Sequence, residues 1–228
     1  MTPAAALDAL KATADLQKAI EMARYHKVDR PYLGVANPAI DACAKEWRRT
    51  LDAGDRVALA GALWATNIHE ARIAAAKLFT QARIRPDHAV WEMICDWVPD
   101  FDAWAIADHA SIAGQKRLVA DPARLEAVER WTVSSHLWTR RAALVMTLPW
   151  TKNRTPKPDE LAQRERILGW AATYVTDPDW FIQKAVAWWL RELSKRDPDR
   201  ARAFLKAYGD TMKPFARREA SKYIDRVP

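Results

Sequence analysis

Glycine is scarce in this chain: six residues of 228, and together with thirteen prolines about 8% of the sequence against a usual ~12%. So few glycines disfavour Rossmann-type loops and turn-rich β-sandwiches, and favour helices joined by short connections. Alanine, leucine, arginine, glutamate and lysine, all good helix formers, dominate the segments. No stretch alternates β-branched residues between turn signals. Asn37-Pro38, Asp121-Pro122, Asp177-Pro178 and Asp197-Pro198 each predict a capping side chain ahead of proline at the first helical position. Pro86-Asp87 and Ser134-Ser135 predict two more starts, and Gly54-Asp55, Gly114 and Gly209 predict breaks.

These signals predict ten to twelve helices, roughly one per 20 residues. Two antiparallel helices per ~40 residues is the period of HEAT and armadillo units. The expected fold is therefore all-α: an α-solenoid of HEAT-like antiparallel helix pairs, curved around a concave basic face. A globular helical bundle is the rival. At ~100–200 residues per domain the length allows one large domain or two small ones, and the reading is a single domain over 1–228. The one long connection, PWTKNRTPKP at 149–158, reads as an ordered surface loop or a flexible spacer, with no domain boundary there.

The formal charge is +7, and residues 183–228 alone hold twelve Lys/Arg against six Asp/Glu. A basic tract of this kind points to a polyanionic partner. Cys43 and Cys95 make neither a disulfide framework nor a zinc spacing and fit a reducing cytosol, so a cytoplasmic location is expected. The first residues lack the basic start and apolar stretch of a signal peptide. No apolar run approaches the ~18 residues of a membrane span, so no membrane association is expected. Twelve tryptophans are more indole than a core of this size needs, which leaves some to face a ligand.

No GxxxxGK[ST], GxGxxG or GxSxG motif occurs. The five histidines lack metal-ligand spacing, and His69-Glu70 does not continue to HExxH. Four segments remain. Trp104 and Asp108, four apart in FDAWAIADHASIAG, share a helical face beside apolar Ala105, Ile106 and Ala107. A carboxylate there needs a partner or a function; it caps or pairs with a neighbouring arginine, or it does chemistry. In SSHLWTRRAALVMTLPW, Arg140 and Arg141 enter an apolar helix, Arg141 three residues from Trp138, suited to a buried acid, to a phosphate, or to covering the core with an aliphatic stem. Lys184, Trp188 and Arg191 fall at i, i+4 and i+7 in DPDWFIQKAVAWWLRE, a face of cation, indole and cation that suits nucleic acid but also a solvated basic face. Phe181, Ala185, Trp189 and Leu193 mark the core side of that helix. Arg218 and Lys222 lie four apart in the last helix, KPFARREASKYIDRV, with Lys213 ahead of them. They read as phosphate contacts or as a soluble C-terminal cap.

Five blocks in order along nearly the whole chain resemble the AlkD-type DNA alkylation repair glycosylases: YHKVDRPYLGV, WAIAD, WTRRAALV, DPDWFIQKAVAWWLRE and KPFARREASKYI. The resemblance implies a HEAT-like solenoid that holds duplex DNA and excises positively charged alkylated bases such as 3-methyladenine and 7-methylguanine. It implies no metal, no nucleotide and no other cofactor, and a monomer that is nucleoid-associated when bound. Carried over by motif, Asp108 is the catalytic carboxylate, Trp104 and Trp188 are aromatic walls of the lesion site, and Arg141 holds a nearby phosphate. Arg191 is a DNA contact, and Tyr25 matches the tyrosine ahead of the family's PxLG segment. Lys184, Arg140, Lys213, Arg218 and Lys222 complete the expected DNA-binding set. Ala105 stands where the family often has an acid. Relatives that lose the Trp/Asp set bind damaged or branched DNA without excising bases, which is the alternative function; this chain keeps the set.

Overall fold

In a computed structural model that describes residues 1–224, helix follows helix from end to end, with no strand among the described residues. Among the described residues there are thirteen α-helices, a little above the ten to twelve expected. They form two compact units, one of Met1–Ala120 and one that begins at Asp121. The first holds α1 (Pro3–Lys11), α2 (Leu16–His26), α3 (Asn37–Thr50), α4 (Ala53–Ala65), α5 (His69–Leu78), α6 (His88–Trp97) and α7 (Trp104–Ala120). The second holds α8 (Leu125–Trp131), α9 (Leu137–Met146), α10 (Pro158–Tyr174), α11 (Trp180–Ser194), α12 (Pro198–Tyr208) and α13 (Pro214–Ala220).

Within each unit a helix packs on its neighbour and on the next but one. In the first, α3 packs on α5 and α5 on α7, while α4 packs on α5 and α6. In the second, α9 packs on α11 and α11 on α13, with α10 and α12 also against α11. This is solenoid-like stacking of helix pairs, and the sequence of each row follows from it. Helix α5 sits among α1, α3, α4 and α7, and its alanines 71, 74, 75 and 76 are all but fully buried. Small side chains there let the surrounding helices approach. In α9, LWTRRAALVM, eight of ten residues are buried. By contrast α12 buries only Ala201 and Phe204, and carries its charges outward.

The capping signals hold at Asp197 and Asp121. Asp197 accepts from the Arg200 amide at 3.0 Å, Asp121 from Ala123 at 3.2 Å, and Gly209 ends α12. Three expectations shift. Asn37 is already inside α3, whose N-cap is Ala36 with no side-chain bond. Helix α11 is capped by Asp179, two residues past the expected position, because Asp177 is turned to Arg140 and to the Asp179 amide. Ser134-Ser135 precedes a start at Leu137. Gly114 is no break: it lies buried in the middle of α7, where packing on α5 and α6 outweighs the ~1 kcal/mol cost of an interior glycine.

The connection at 149–158 is an ordered loop. Arg164 of α10, 1% exposed, donates to the carbonyls of Trp150 (3.0 Å) and Asn153 (2.6 Å) and pairs with Asp197 at 3.1 Å. Arg117 does the same in the first unit, fixing the carbonyls of Gln81 and Ala82 and pairing with Asp87 at 3.1 Å. Each unit thus holds an irregular stretch with a buried guanidinium whose donors match several carbonyls at once.

Candidate functional site

In the first unit the site begins with a loop. Residues 27–36 leave α2 and reach α3 without regular structure, so their amides need acceptors. Glu70, fully buried on α5, supplies them: its carboxylate accepts from Leu33 (2.9 Å), Gly34 (2.7 Å) and Val35 (3.3 Å). Gly34 adopts φ +75°, and a Cβ there would run into the Asp15 carbonyl. The tyrosine-to-glycine block of the sequence is therefore a loop clamped on one carboxylate.

That clamp brings rings together. His26 stacks parallel to Tyr32 at 6.1 Å and lies 4.5 Å from His69. Trp104, the first residue of α7, meets His26 at 5.6 Å and the edge of Tyr25 at 6.2 Å. Burial drives the His69 imidazole down to about 3, with His26, Arg30 and His109 adding like-charge repulsion. Burial, then Arg30, lowers His26 as well. Both rings are neutral near pH 7, so the layer behind Trp104 is uncharged. Arg30 pairs with Asp102, two residues ahead of Trp104.

Ala105, Ile106 and Ala107 are buried, while Trp104 and Asp108 are half-buried. The two therefore form the open edge of a helix otherwise sunk in the unit, as their spacing predicts. His109 donates Nδ1–H to the Ala105 carbonyl at 2.7 Å, and burial lowers its pKa against that bond. Tyr25 is 70% exposed.

In the second unit Gln183 plays the part that Glu70 plays in the first. It is 1% exposed, and its amide donates to the carbonyls of Tyr174 (3.1 Å), Val175 (2.7 Å) and Asp177 (3.1 Å). Its oxygen accepts from the Lys213 amide at 3.1 Å, which seats the start of α13 against α11. On α11, Ala185, Trp189 and Leu193 are buried as expected, and Lys184, Trp188 and Arg191 form a half-buried stripe. Phe181 is only half-buried; its ring lies 4.7 Å from that of Trp138. Opposite the stripe stand Arg218 and Lys222, both exposed. Together with Phe215 and Glu219 these cations line a groove of about 490 Å³. Lys222 lies in the turn after α13, because the helix ends at Ala220 where the Ser221 hydroxyl bonds back to the Arg218 carbonyl. The rest of the expected last helix, from residue 225, is outside the described residues.

The remaining candidates are engaged inside the fold. Arg141 is 4% exposed and donates to the Phe181 carbonyl at 2.9 Å. Arg140 holds the Ser134 and Ser135 carbonyls and pairs with Asp177 at 3.2 Å. Lys213 reaches the Pro178 carbonyl with its ammonium.

Two features of the second unit escaped the sequence reading. Eight of the twelve tryptophans are buried; the four that are not are Trp104, Trp131, Trp180 and Trp188. Trp180 is 49% exposed, stacked on Phe215 at 5.5 Å with the Lys184 ammonium 5.6 Å over its ring. Its i, i+4 spacing to Lys184 was the available signal. Glu219 also faces the stripe; its partners lie 28 and 35 residues away, beyond any local pattern.

A family model described as DNA alkylation repair enzyme matches residues 6–224. Three solved structures share the fold. A predicted DNA alkylation repair enzyme from Enterococcus faecalis is 21% identical, with a TM-score of 0.78 over 94% of this chain and 98% of that one. AlkD2 from Streptococcus mutans is 20% identical, TM-score 0.62, covering 92% and 99%. The protein smu.31 from Streptococcus mutans UA159 is 22% identical, TM-score 0.62, covering 82% and 92%. No curated protein matches the chain in sequence.

Proposed function

The chain belongs to the DNA alkylation repair enzyme family, and on that premise we propose that it is a monofunctional DNA glycosylase that hydrolyses the N-glycosidic bond of positively charged alkylated purines, 3-methyladenine and 7-methylguanine, in duplex DNA. In this reading it works as a cytoplasmic monomer, nucleoid-associated when bound, and uses no cofactor. The observation that carries it is the pairing of Trp104 and Asp108 on the open edge of α7, with the indole held against Tyr25 and His26.

The chemistry suits those groups. A cationic purine is already a good leaving group. As its bond to C1′ breaks, the electron pair goes to the purine, which departs neutral, and positive charge develops on C1′ and the ring oxygen. Water then adds to C1′ and yields a proton to solvent. The costly species is the sugar cation, and a fixed carboxylate stabilises it and orients the water. An indole face adds cation–π attraction to the same charge. Trp188 and Arg141, in the second unit, enter this scheme through the family resemblance. Lys184, Arg191, Arg218 and Lys222 line the basic groove, whose cations meet the phosphates.

Asp108→Asn tests the proposal, because it removes charge and keeps shape. The expected variant melts normally, binds duplex DNA and releases 7-methylguanine ~100–1,000-fold more slowly in single turnover. Unchanged excision with a lowered melting temperature would make Asp108 a structural residue. A wild-type chain that binds N-methylated duplex and frees no base would leave the non-catalytic alternative in place.

A further inference from the structure

The four cations of the second-unit groove fall into two classes. Lys184 and Arg191, both on α11, converge on the Glu219 carboxylate, one on each oxygen. Lys184 meets Oε2 at 2.5 Å, and Arg191 Nη1 meets Oε1. Arg191 also lies 3.6 Å from Glu192. Arg218 and Lys222 line the same groove, and neither pairs with an acid among the described residues. Glu219 is 15% exposed, against 37% and 26% for its two partners, so water screens this cluster less than a surface pair.

A carboxylate bridging a lysine and an arginine makes the contacts that a phosphate would make with the same pair. We infer that Glu219 is an internal competitor for backbone phosphate: it neutralises Lys184 and Arg191, and leaves Arg218 and Lys222 as the groove's working phosphate contacts. The consequence is specific to DNA search. A groove with four unpaired cations would hold undamaged duplex strongly, since sequence-independent affinity scales with phosphates neutralised. With two cations held by Glu219, undamaged duplex binds more weakly and leaves faster. The inference rests on the duplex-DNA reading above and adds which of its basic residues carry the contact.

The test is the salt dependence of binding to an unmodified labelled duplex, for wild type, Lys184→Gln, Lys222→Gln, Glu219→Gln and the Glu219→Gln/Lys184→Gln pair, with melting temperatures alongside. Each phosphate contact contributes about 0.9 to the slope of log K against log salt. Lys222→Gln should lower the slope by about one contact, and Lys184→Gln should barely change it. Glu219→Gln should steepen it by one to two contacts and tighten binding roughly tenfold or more near 0.1 M salt. In the Glu219→Gln background, Lys184→Gln should then cost a full contact. Equal slopes for Lys184→Gln and Lys222→Gln overturn the inference, as does weaker binding by a stably folded Glu219→Gln. If Glu219→Gln does not fold, the two lysine variants still decide. A wild-type chain that binds no duplex overturns the functional reading together with this inference, whereas binding with Lys184 and Lys222 equivalent overturns the inference alone.

Discussion

The two units differ most in where they keep charge. From Met1 to Ala120 the chain has fifteen basic and fifteen acidic residues, and from Asp121 onward it has 21 and 14, so the second unit carries the whole net charge of +7. The first unit presents a cluster of neutral rings with one carboxylate at the edge of α7. The second presents a groove lined by four cations. Each is set by one buried polar side chain on an inner helix, Glu70 on α5 or Gln183 on α11, that collects several backbone groups. One architecture thus carries two kinds of surface, and in the proposed function the catalytic carboxylate belongs to the first and the groove's phosphate contacts to the second.

The split breaks most visibly if the two properties travel together. Asp108→Asn should keep the wild-type salt slope while losing its ~100–1,000-fold of excision. An Arg218→Gln/Lys222→Gln variant should lose about two contacts of slope, and its excision at saturating enzyme should stay within a few-fold of wild type. A second-unit variant that loses excision at saturation as fully as Asp108→Asn would end the division of labour.

Glu70→Gln probes the mounting of the first unit. It removes a buried charge that satisfies three amides and turns a donor group toward at least one of them. Hydrogen bonds to charged groups contribute about 1.5–3 kcal/mol, so a loss of about 2–4 kcal/mol is expected in chemical denaturation. The second unit's salt slope should not change.

How much of this was legible beforehand follows from the reach of each interaction. The all-helical fold and the Trp104/Asp108 and Lys184/Trp188/Arg191 faces depend on composition and on spacings of three or four residues, which a sequence displays. The ring cluster depends on a loop closed by a carboxylate 35 to 37 residues away. In the sequence, His69-Glu70 reads only as an incomplete metal motif; its role as a clamp needs the loop in place. Arg140 and Lys184 read as open cations because their acids, Asp177 and Glu219, are 37 and 35 residues distant.

The neutral layer also gives the first unit a pH dependence that the groove should lack. The native His69 titrates at about 3 against 6.5 for a free imidazole, because burial, His26, Arg30 and His109 all disfavour its cation. Unfolding therefore takes up a proton anywhere between those values, and stability falls as pH drops through 6.5. From pH 6.5 to 5 the loss is about 1.5 kcal/mol. His69→Gln should flatten that part of the melting profile. An unchanged slope would mean that other groups carry it.

The smallest effect sharpens the comparison at its finest point, the indole of Trp104. Tyr25 is 70% exposed and meets that indole edge-on at 6.2 Å. So exposed a side chain adds little to stability, and Tyr25→Ala should change the melting temperature very little. An edge-to-face aromatic pair is worth about 0.5–1.5 kcal/mol, so losing it should slow excision roughly two- to tenfold if the ring's task is to hold Trp104 in place. Tyr25→Phe separates that task from a direct bond to DNA. It keeps the edge and removes the hydroxyl, so near-wild-type excision is the expected result. If Phe is as slow as Ala, the hydroxyl is what matters, and Tyr25 grips the duplex. The first unit would then share in binding, and the charge split would describe only where the cations lie.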